Sequence, residues 1–298
     1  MGVRFLKEPK LEKPDMVACW PGIGNIGVLA VETLRSQIGA EAFAEIEPWE
    51  FFYPRKLIIR EGVITRMEFP SSRFYYQRVG GRDLIIFVAE EQPTDEGRMY
   101  AEGSKAQDMG NLALDVAERF GCRRVYTSGA AVSLTHHGDR PRVWAVATAE
   151  HVLQDLKSCE NTALMSEVEG VGGGGSITGL NGLLLGLARK RGLEAVCLMG
   201  EIPDYLSGVP FPYARASKSV LEVLSRFVGA EIDYGVLDRM VAQVDGFVET
   251  IYENLPLTIR GRIEQRRLAR PSRQEPITED DAKWIKEHVD ELFKKGDK

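Results

Sequence analysis

Three turns, two of them rich in glycine, hold the residues of this chain best suited to chemistry. Four consecutive glycines, Gly172 to Gly175, cannot enter a helix or strand without a large entropic cost, and they lead through Ser176 and Thr178 into the apolar run Leu183 to Leu187. A turn feeding a helix start presents unpaired N–H groups and the positive end of the helix dipole. A carboxylate, phosphate or substrate oxyanion would be stabilised there. Gly173, Gly174, Gly175, Ser176 and Asn181 are therefore candidates for holding an anion or other ligand. The same turn also has a purely structural use, which is to let a strand and a helix approach closely. The P-loop pattern is absent because no lysine follows the glycines, and the nucleophile elbow G-x-S-x-G fails at Thr178.

The second turn, Gly22-Ile23-Gly24-Asn25-Ile26-Gly27, follows the apolar strand Met16 to Trp20 and opens a helical pattern through Val28, Leu29, Val31 and Leu34. It satisfies G-x-G-x-x-G in the strand-turn-helix setting of a dinucleotide site. That fingerprint also needs a second parallel strand ending in an acid; Glu45 and Glu47 stand at the right distance, but Pro48, Trp49 and Pro54 crowd the region and hairpins follow. The third turn lies beyond the apolar strand Leu84 to Ala89, which delivers Glu90, Glu91, Gln92 and Pro93.

Ligand clefts of open α/β sheets form beyond the carboxyl ends of the strands. Gly22, Gly24, Asn25, Gly27, Glu90, Gln92 and the glycine stretch would converge if their strands end on one side, joined by Glu201 beyond the strand Ala195 to Met199. Glu90 and Glu91, adjacent on a strand end, point to opposite faces and form no acid/base pair. The adjacent His136 and His137 read as a solvated loop pair, since no third ligand at metal-site spacing accompanies them. Cys19, Cys122, Cys159 and Cys197 form no C-x-x-C pair, and Cys19 and Cys197 lie in strand-like runs as small core hydrophobes. No metal and no cofactor are expected.

The elements that must position these residues are legible in outline. Leu57 to Arg60 and Val63 to Glu68 flank Glu61-Gly62, and Arg73 to Val79 and Asp83 to Ala89 flank Gly80-Gly81; both are tight-hairpin signals, so the sheet is mixed. Helical spacing covers Met99 to Phe120, Ala216 to Val228 and Val236 to Leu255. The segment from Asp204 to Ser217 is a proline-braced aromatic loop suited to a pocket or an interface. The composition changes at Ile259, which divides the chain into an α/β domain over 1–258 and a basic linker with a terminal amphipathic helix over 259–298. Thr278 caps that helix, and its stripe Trp284, Ile285, Val289, Leu292 and Phe293 must dock on its own domain or on a partner.

The 298 residues, 44% hydrophobic and 28% charged, suffice for one large core or two smaller ones. A net charge of −6 argues against a general nucleic-acid binder. No apolar run approaches membrane-spanning length and the opening MGVRFLKEPK lacks a signal-peptide core, so a cytosolic location is expected.

The series WPGIGNIG at Trp20 to Gly27, EEQP at Glu90 to Pro93, PRVWAVAT at Pro141 to Thr148 and GGSITGLNGLLLGLARKRGLEAVCLMGE at Gly174 to Glu201, with the proline/aromatic loop that follows, resembles the PAC2 family of proteasome assembly chaperone-like proteins. The resemblance runs from about Pro14 to Leu255. It implies a three-layer αβα fold with a mixed central sheet, similar to the phosphorylase/hydrolase-like architecture, and a homo-oligomer. For some archaeal relatives it implies a chaperone role on proteasome α subunits. Similar archaeal chaperones carry a C-terminal hydrophobic-Tyr-any tail; this sequence reads Gly296-Asp297-Lys298 there and departs from that pattern. The expectation is a non-catalytic scaffold or assembly chaperone. Its alternative is a small-molecule enzyme binding a nucleoside or anion at the glycine turns.

Overall fold

Near-continuous apolar runs along the central strands require cover on both faces, and the computed structural model supplies it; residues 2–93, 103–165, 177–268 and 278–294 are described. The main sheet contains β1 (Val3–Phe5), β2 (Asp15–Cys19), β3 (Glu41–Ile46), β6 (Ser72–Val79), β7 (Arg82–Ala89), β8 (Arg124–Ser133), β9 (Val143–Ala147), β10 (Thr162–Leu164) and β11 (Glu194–Pro203). Their order is β1-β3-β6-β7-β2-β8-β11-β9-β10. The four central strands β7, β2, β8 and β11 are mutually parallel, while β6 and β9 run antiparallel to their central neighbours.

One face of the sheet, through Val17, Cys19, Leu84, Ile86, Val196 and Leu198, packs into the larger core with α1 (Ile26–Gln37), α3 (Glu150–Lys157), α5 (Ala214–Val228) and α6 (Gly235–Asn254). The other face, through Met16, Ala18, Ile85, Phe87, Cys197 and Met199, packs against α2 (Gly103–Arg119) and α4 (Gly179–Lys190). The result is a three-layer αβα arrangement around a mixed sheet. Neighbouring residues of one strand serve opposite cores because the pleat turns them to opposite sides.

Both hairpin turns form. Glu61, Gly62, Gly80 and Gly81 all have positive φ, the backbone that tight two-residue hairpins require. The two hairpins part company, however. The second joins the main sheet as β6–β7, whereas β4 (Lys56–Arg60) and β5 (Val63–Glu68) stand apart as a sheet of two strands.

The arginine-rich segment is helical as α7 (Leu257–Leu268). It buries Ile259 and Ile263, and it buries Arg266 in a two-pronged ion pair with Asp204, both contacts at 2.8 Å. The terminal helix α8 (Glu279–Lys294) starts as expected, with the Asp281 N–H donating to Thr278 Oγ1 at 3.1 Å. Ile285, Val289 and Leu292 are buried in the larger core, so this stripe docks on the chain's own body, with Asn254 Nδ2 donating to the Leu292 carbonyl. Trp284 is half-buried and stacks on His288, while the side chain of Phe293 lies outside the described residues.

Candidate functional site

The carboxyl ends of β2 and β7 lie side by side, because Cys19 of β2 pairs with Val88 of β7. The turns beyond them open onto a cleft of about 460 Å³ lined by Pro21 to Asn25, Glu90 to Gln92, Ser207 to Phe211 and Lys286 of α8. A second cavity of about 260 Å³ shares Gly22, Ile23 and Gln92 and is also lined by Trp144, Asn181 and Met199. The structure thus brings together Gly22, Gly24, Asn25, Glu90, Gln92 and Asn181. Gly173, Gly174, Gly175 and Ser176 lie outside the described residues.

The glycines of the first turn are needed for different reasons. Gly24 has φ +59° and its carbonyl accepts the Tyr213 N–H at 2.8 Å; Asn25 follows at φ +47°, a left-handed conformation asparagine tolerates. A Cβ on Gly27 would stand 2.6 Å from the Ser128 carbonyl oxygen, so this glycine lets α1 lie against β8. Gly22 is extended, and a Cβ there would meet nothing within 4 Å. The ribose-binding acid of a dinucleotide site has no counterpart. Strand β3 is separated from β2 by β6 and β7, and Glu45 on it pairs with Arg4 and Arg73.

The polar side chains at the strand ends are tied into the protein itself. Gln92 donates to the Pro21 carbonyl and accepts the Leu180 N–H at 3.3 Å, clamping the first turn to the start of α4. Asn181 accepts from the Trp20 N–H at 3.2 Å and the Thr127 hydroxyl at 3.1 Å, and its amide donates to the Trp20 carbonyl. Glu90 accepts from Ser71 Oγ and Arg55, while Glu91 pairs with the same guanidinium. Burial would raise the Glu90 pKa, but the Ser71 hydrogen bond and the Arg55 charge outweigh it and hold the carboxyl below its usual range. Glu201 is fully buried, taking the Arg142 N–H and guanidinium and the Trp144 indole N–H at 2.8 Å. It does not line the 460 Å³ cleft.

The histidine pair is where the sequence reading fails. His136 and His137 are buried, with ring centroids 4.0 Å apart, between the β8–β9 connection and helices α6 and α7. Tyr205 Oη accepts the His137 N–H at 2.9 Å and gives its proton to Nδ1 at 2.7 Å, leaving Nε2–H facing Glu249 at 3.3 Å. His136 Nδ1 accepts the Gly138 N–H at 3.0 Å, and its Nε2 is buried 4.0 Å from Glu264. Burial pushes both rings down to about 4; for His136 the neighbouring ring adds to this, and for His137 the Arg215 charge does. Arg215 also binds Asp245 and the His137 carbonyl, so the cluster fastens α6 and α7 to the body. Its members come from positions 136 to 267, so no local sequence pattern announces it.

The PAC2 family profile matches residues 16–251. The chain belongs to the PAC2 family. An uncharacterized protein of Methanocaldococcus jannaschii is 27% identical over 241 residues, spanning 81% of this chain and 84% of that one. The crystal structure of Pyrococcus furiosus PbaB, described as an archaeal proteasome activator, superposes with TM-score 0.68 at 28% identity over 84% of this chain and 97% of that one. Pyrococcus furiosus PbaA, an archaeal homolog of proteasome-assembly chaperone, shares the fold with TM-score 0.61 at 20% identity, covering 88% and 97%.

In this PAC2 protein the WPGIGNIG and EEQP motifs meet Ile177 to Asn181 at one place, where Gln92 and Asn181 bridge the ends of β2 and β7 to α4. The thiols there are inert: burial pushes Cys197 up to about 12 and Cys19 higher still. Asn181→Ala is expected to leave the buried Thr127 hydroxyl and Trp20 N–H without their acceptor. That loss costs about 2 kcal/mol, measurable as a lowered urea midpoint at unchanged m-value. Among the described residues no helix is long and apolar enough to cross a membrane.

Proposed function

We propose that this PAC2 protein is a non-catalytic, homo-oligomeric assembly factor of the cytoplasm, a scaffold or chaperone acting on other protein complexes, with proteasome α subunits as its partners. The observation that carries this reading is the commitment of Glu90, Gln92 and Asn181 to internal hydrogen bonds at the place where an enzyme of this architecture would keep its reactive groups. Similarity to PbaB, at 28% identity over nearly the whole of that chain, supports the choice of partner. The expected result is that tagged protein, cross-linked and recovered from its host under gentle conditions, brings proteasome α subunits with it and speeds their assembly when purified. Recovery of the bait alone, together with no effect on α-ring formation, would overturn the reading.

A second reading has its own support in the 460 Å³ cleft, where the Gly22 to Asn25 backbone and Lys286 stand together. It makes the protein a binder of nucleosides or anions. A ligand at ~100 times its dissociation constant adds about 2.7 kcal/mol of stability, so a thermal-shift screen with nucleosides, nucleotides and phosphate decides it. No shift with any of them removes this alternative.

A further inference from the structure

The segment from Asp204 to Phe211 joins the histidine cluster to the 460 Å³ cleft. On one side Ser207 to Phe211 form a wall of that cleft. On the other, two clamps hold the short turn Asp204–Leu206 that begins the segment. Arg266 grips Asp204 through two contacts of 2.8 Å, and Tyr205 Oη meets His137 twice, taking the backbone N–H at 2.9 Å and giving its own proton to Nδ1 at 2.7 Å. Tyr205 is buried and stands edge-on to the His137 ring, with centroids 6.0 Å apart. The turn passes the restraint on, because the Val209 N–H donates to the Leu206 carbonyl and the Tyr213 N–H to the Gly24 carbonyl across the cleft mouth.

The two clamps differ in chemistry. The first is an ion pair and involves no histidine proton. The second needs a bare nitrogen, since Nδ1 can accept the Tyr205 proton only while it keeps its lone pair. A protonated Nδ1 is a donor, and the buried Tyr205 hydroxyl then loses its acceptor. Every element packed on the histidine pair bears on that step. The β8–β9 connection brings Asp139, α5 brings Arg215, α6 brings Asp245 and Glu249 beside the Tyr252 ring, α7 brings Glu264 and Arg267, and the Asp204 turn brings Tyr205 beneath Arg266. The carboxylates favour a proton, but burial, the stacked neighbouring ring and the arginines outweigh them while the segment is in place. With the rings 4.0 Å apart, a charge on one opposes a charge on the other, so the step involves a single proton.

We propose that the Ser207 to Phe211 wall is a gate to the cleft, held shut by neutral His137 through Tyr205 and released when His137 takes up a proton. Swinging Tyr205 outward about the anchored Asp204 lets water reach Nδ1, so the open form binds the proton that the shut form refuses. Opening and proton uptake are one linked equilibrium. A ring held at about 4 when the wall is shut and titrating near 6.5 when it is open raises the open-to-shut ratio about 20-fold between pH 7 and pH 5. The gate governs access to the cleft and rests on neither reading of what the cleft receives.

Backbone hydrogen exchange of the full chain, each rate divided by its intrinsic value at that pH, reads the gate directly. The Val209 and Tyr213 amides should lose about 20-fold of their protection from pH 7 to pH 5 through an opening that low urea leaves unchanged. The Ile86 and Phe87 amides of β7, held between β2 and β6, should instead open more as urea is added. His137→Asn sets an acceptor near the place of Nδ1 and does not titrate, so its wall should be equally protected at both pH values. Tyr205→Phe removes the hydroxyl and should cut Val209 protection about 5-fold at pH 7 itself. Wall amides that share the urea dependence of Ile86 and Phe87, or a loss at pH 5 that persists in His137→Asn, overturn the gate. Should His137→Asn not fold, Tyr205→Phe decides: unchanged Val209 protection at pH 7 overturns the gate, and the 5-fold fall supports it.

Discussion

Gly27→Ala is expected to destabilise the protein by about 3 kcal/mol, enough to deplete soluble protein, while Gly22→Ala changes stability by less than about 0.5 kcal/mol. The added methyl at Gly27 would lie 2.6 Å from the Ser128 oxygen, 2.8 Å from the Ser128 carbonyl carbon and 2.7 Å from Cys19 Sγ. Two of those atoms are backbone in β8, a strand held on both sides, so neither can rotate away. Alanine's helix advantage over glycine, at most about 1 kcal/mol and smaller here at the second residue of α1, offsets only part of the clash. Gly22 is extended and opens into the cleft, so its added methyl meets solvent. Chemical denaturation of the two variants side by side is the measurement. A Gly27→Ala protein as stable as its parent would end the close-approach explanation of this turn. A folded Gly22→Ala protein that fails on its partner would make the cleft itself a recognition surface.

That contrast also shows what one strand of sequence could reveal. The positions of β2, β7, β8 and β11 were visible because strands buried on both faces are near-continuous apolar runs. The hairpins were visible because Glu61-Gly62 and Gly80-Gly81 are turn chemistry of short range. Which hairpin joins the main sheet was not, since both read alike and only the packing of Phe74 against Phe43 and Phe87 draws β6 into the core. The convergence of Gly22, Glu90, Gln92 and Asn181 followed from the rule for strand ends, yet their roles did not. That Gln92 and Asn181 are braces rather than ligand groups depends on hydrogen-bond partners 54 to 161 residues away. The burial of His136 and His137 was hidden for the same reason, as their cover arrives from α6 and α7.

Those two histidines give the second large effect. Free histidine titrates near 6.5, and both rings are held at about 4 in the folded protein. Above pH 6.5 the folded and unfolded chains carry the same neutral rings and nothing is lost. As pH falls below 6.5 the unfolded chain takes up protons that the folded chain refuses, so stability declines steadily until pH 4. The refusal has a structural cause on every side. His136 and His137 stack on each other, Arg215 of α5 and Arg267 of α7 add positive charge, and Tyr205 occupies His137 Nδ1. Asp139, Asp245, Glu249 and Glu264 favour protonation, but Glu249 and Glu264 are half exposed and weakly coupled. Allowing for that solvent exposure, the expected loss is about 2 kcal/mol between pH 6.5 and pH 5, before most carboxylates titrate. Urea unfolding at pH 7, 6 and 5 measures it. His136→Phe keeps an aromatic ring, removes an Nε2 that has no hydrogen-bond partner and takes the Nδ1 acceptor from the Gly138 N–H; that last loss lowers stability at every pH alike, while the slope with pH should halve. If the parent and the variant lose stability in parallel, the acid sensitivity lies elsewhere; if the variant is flatter, protonation of this pair is what loosens α6 and α7 from the body.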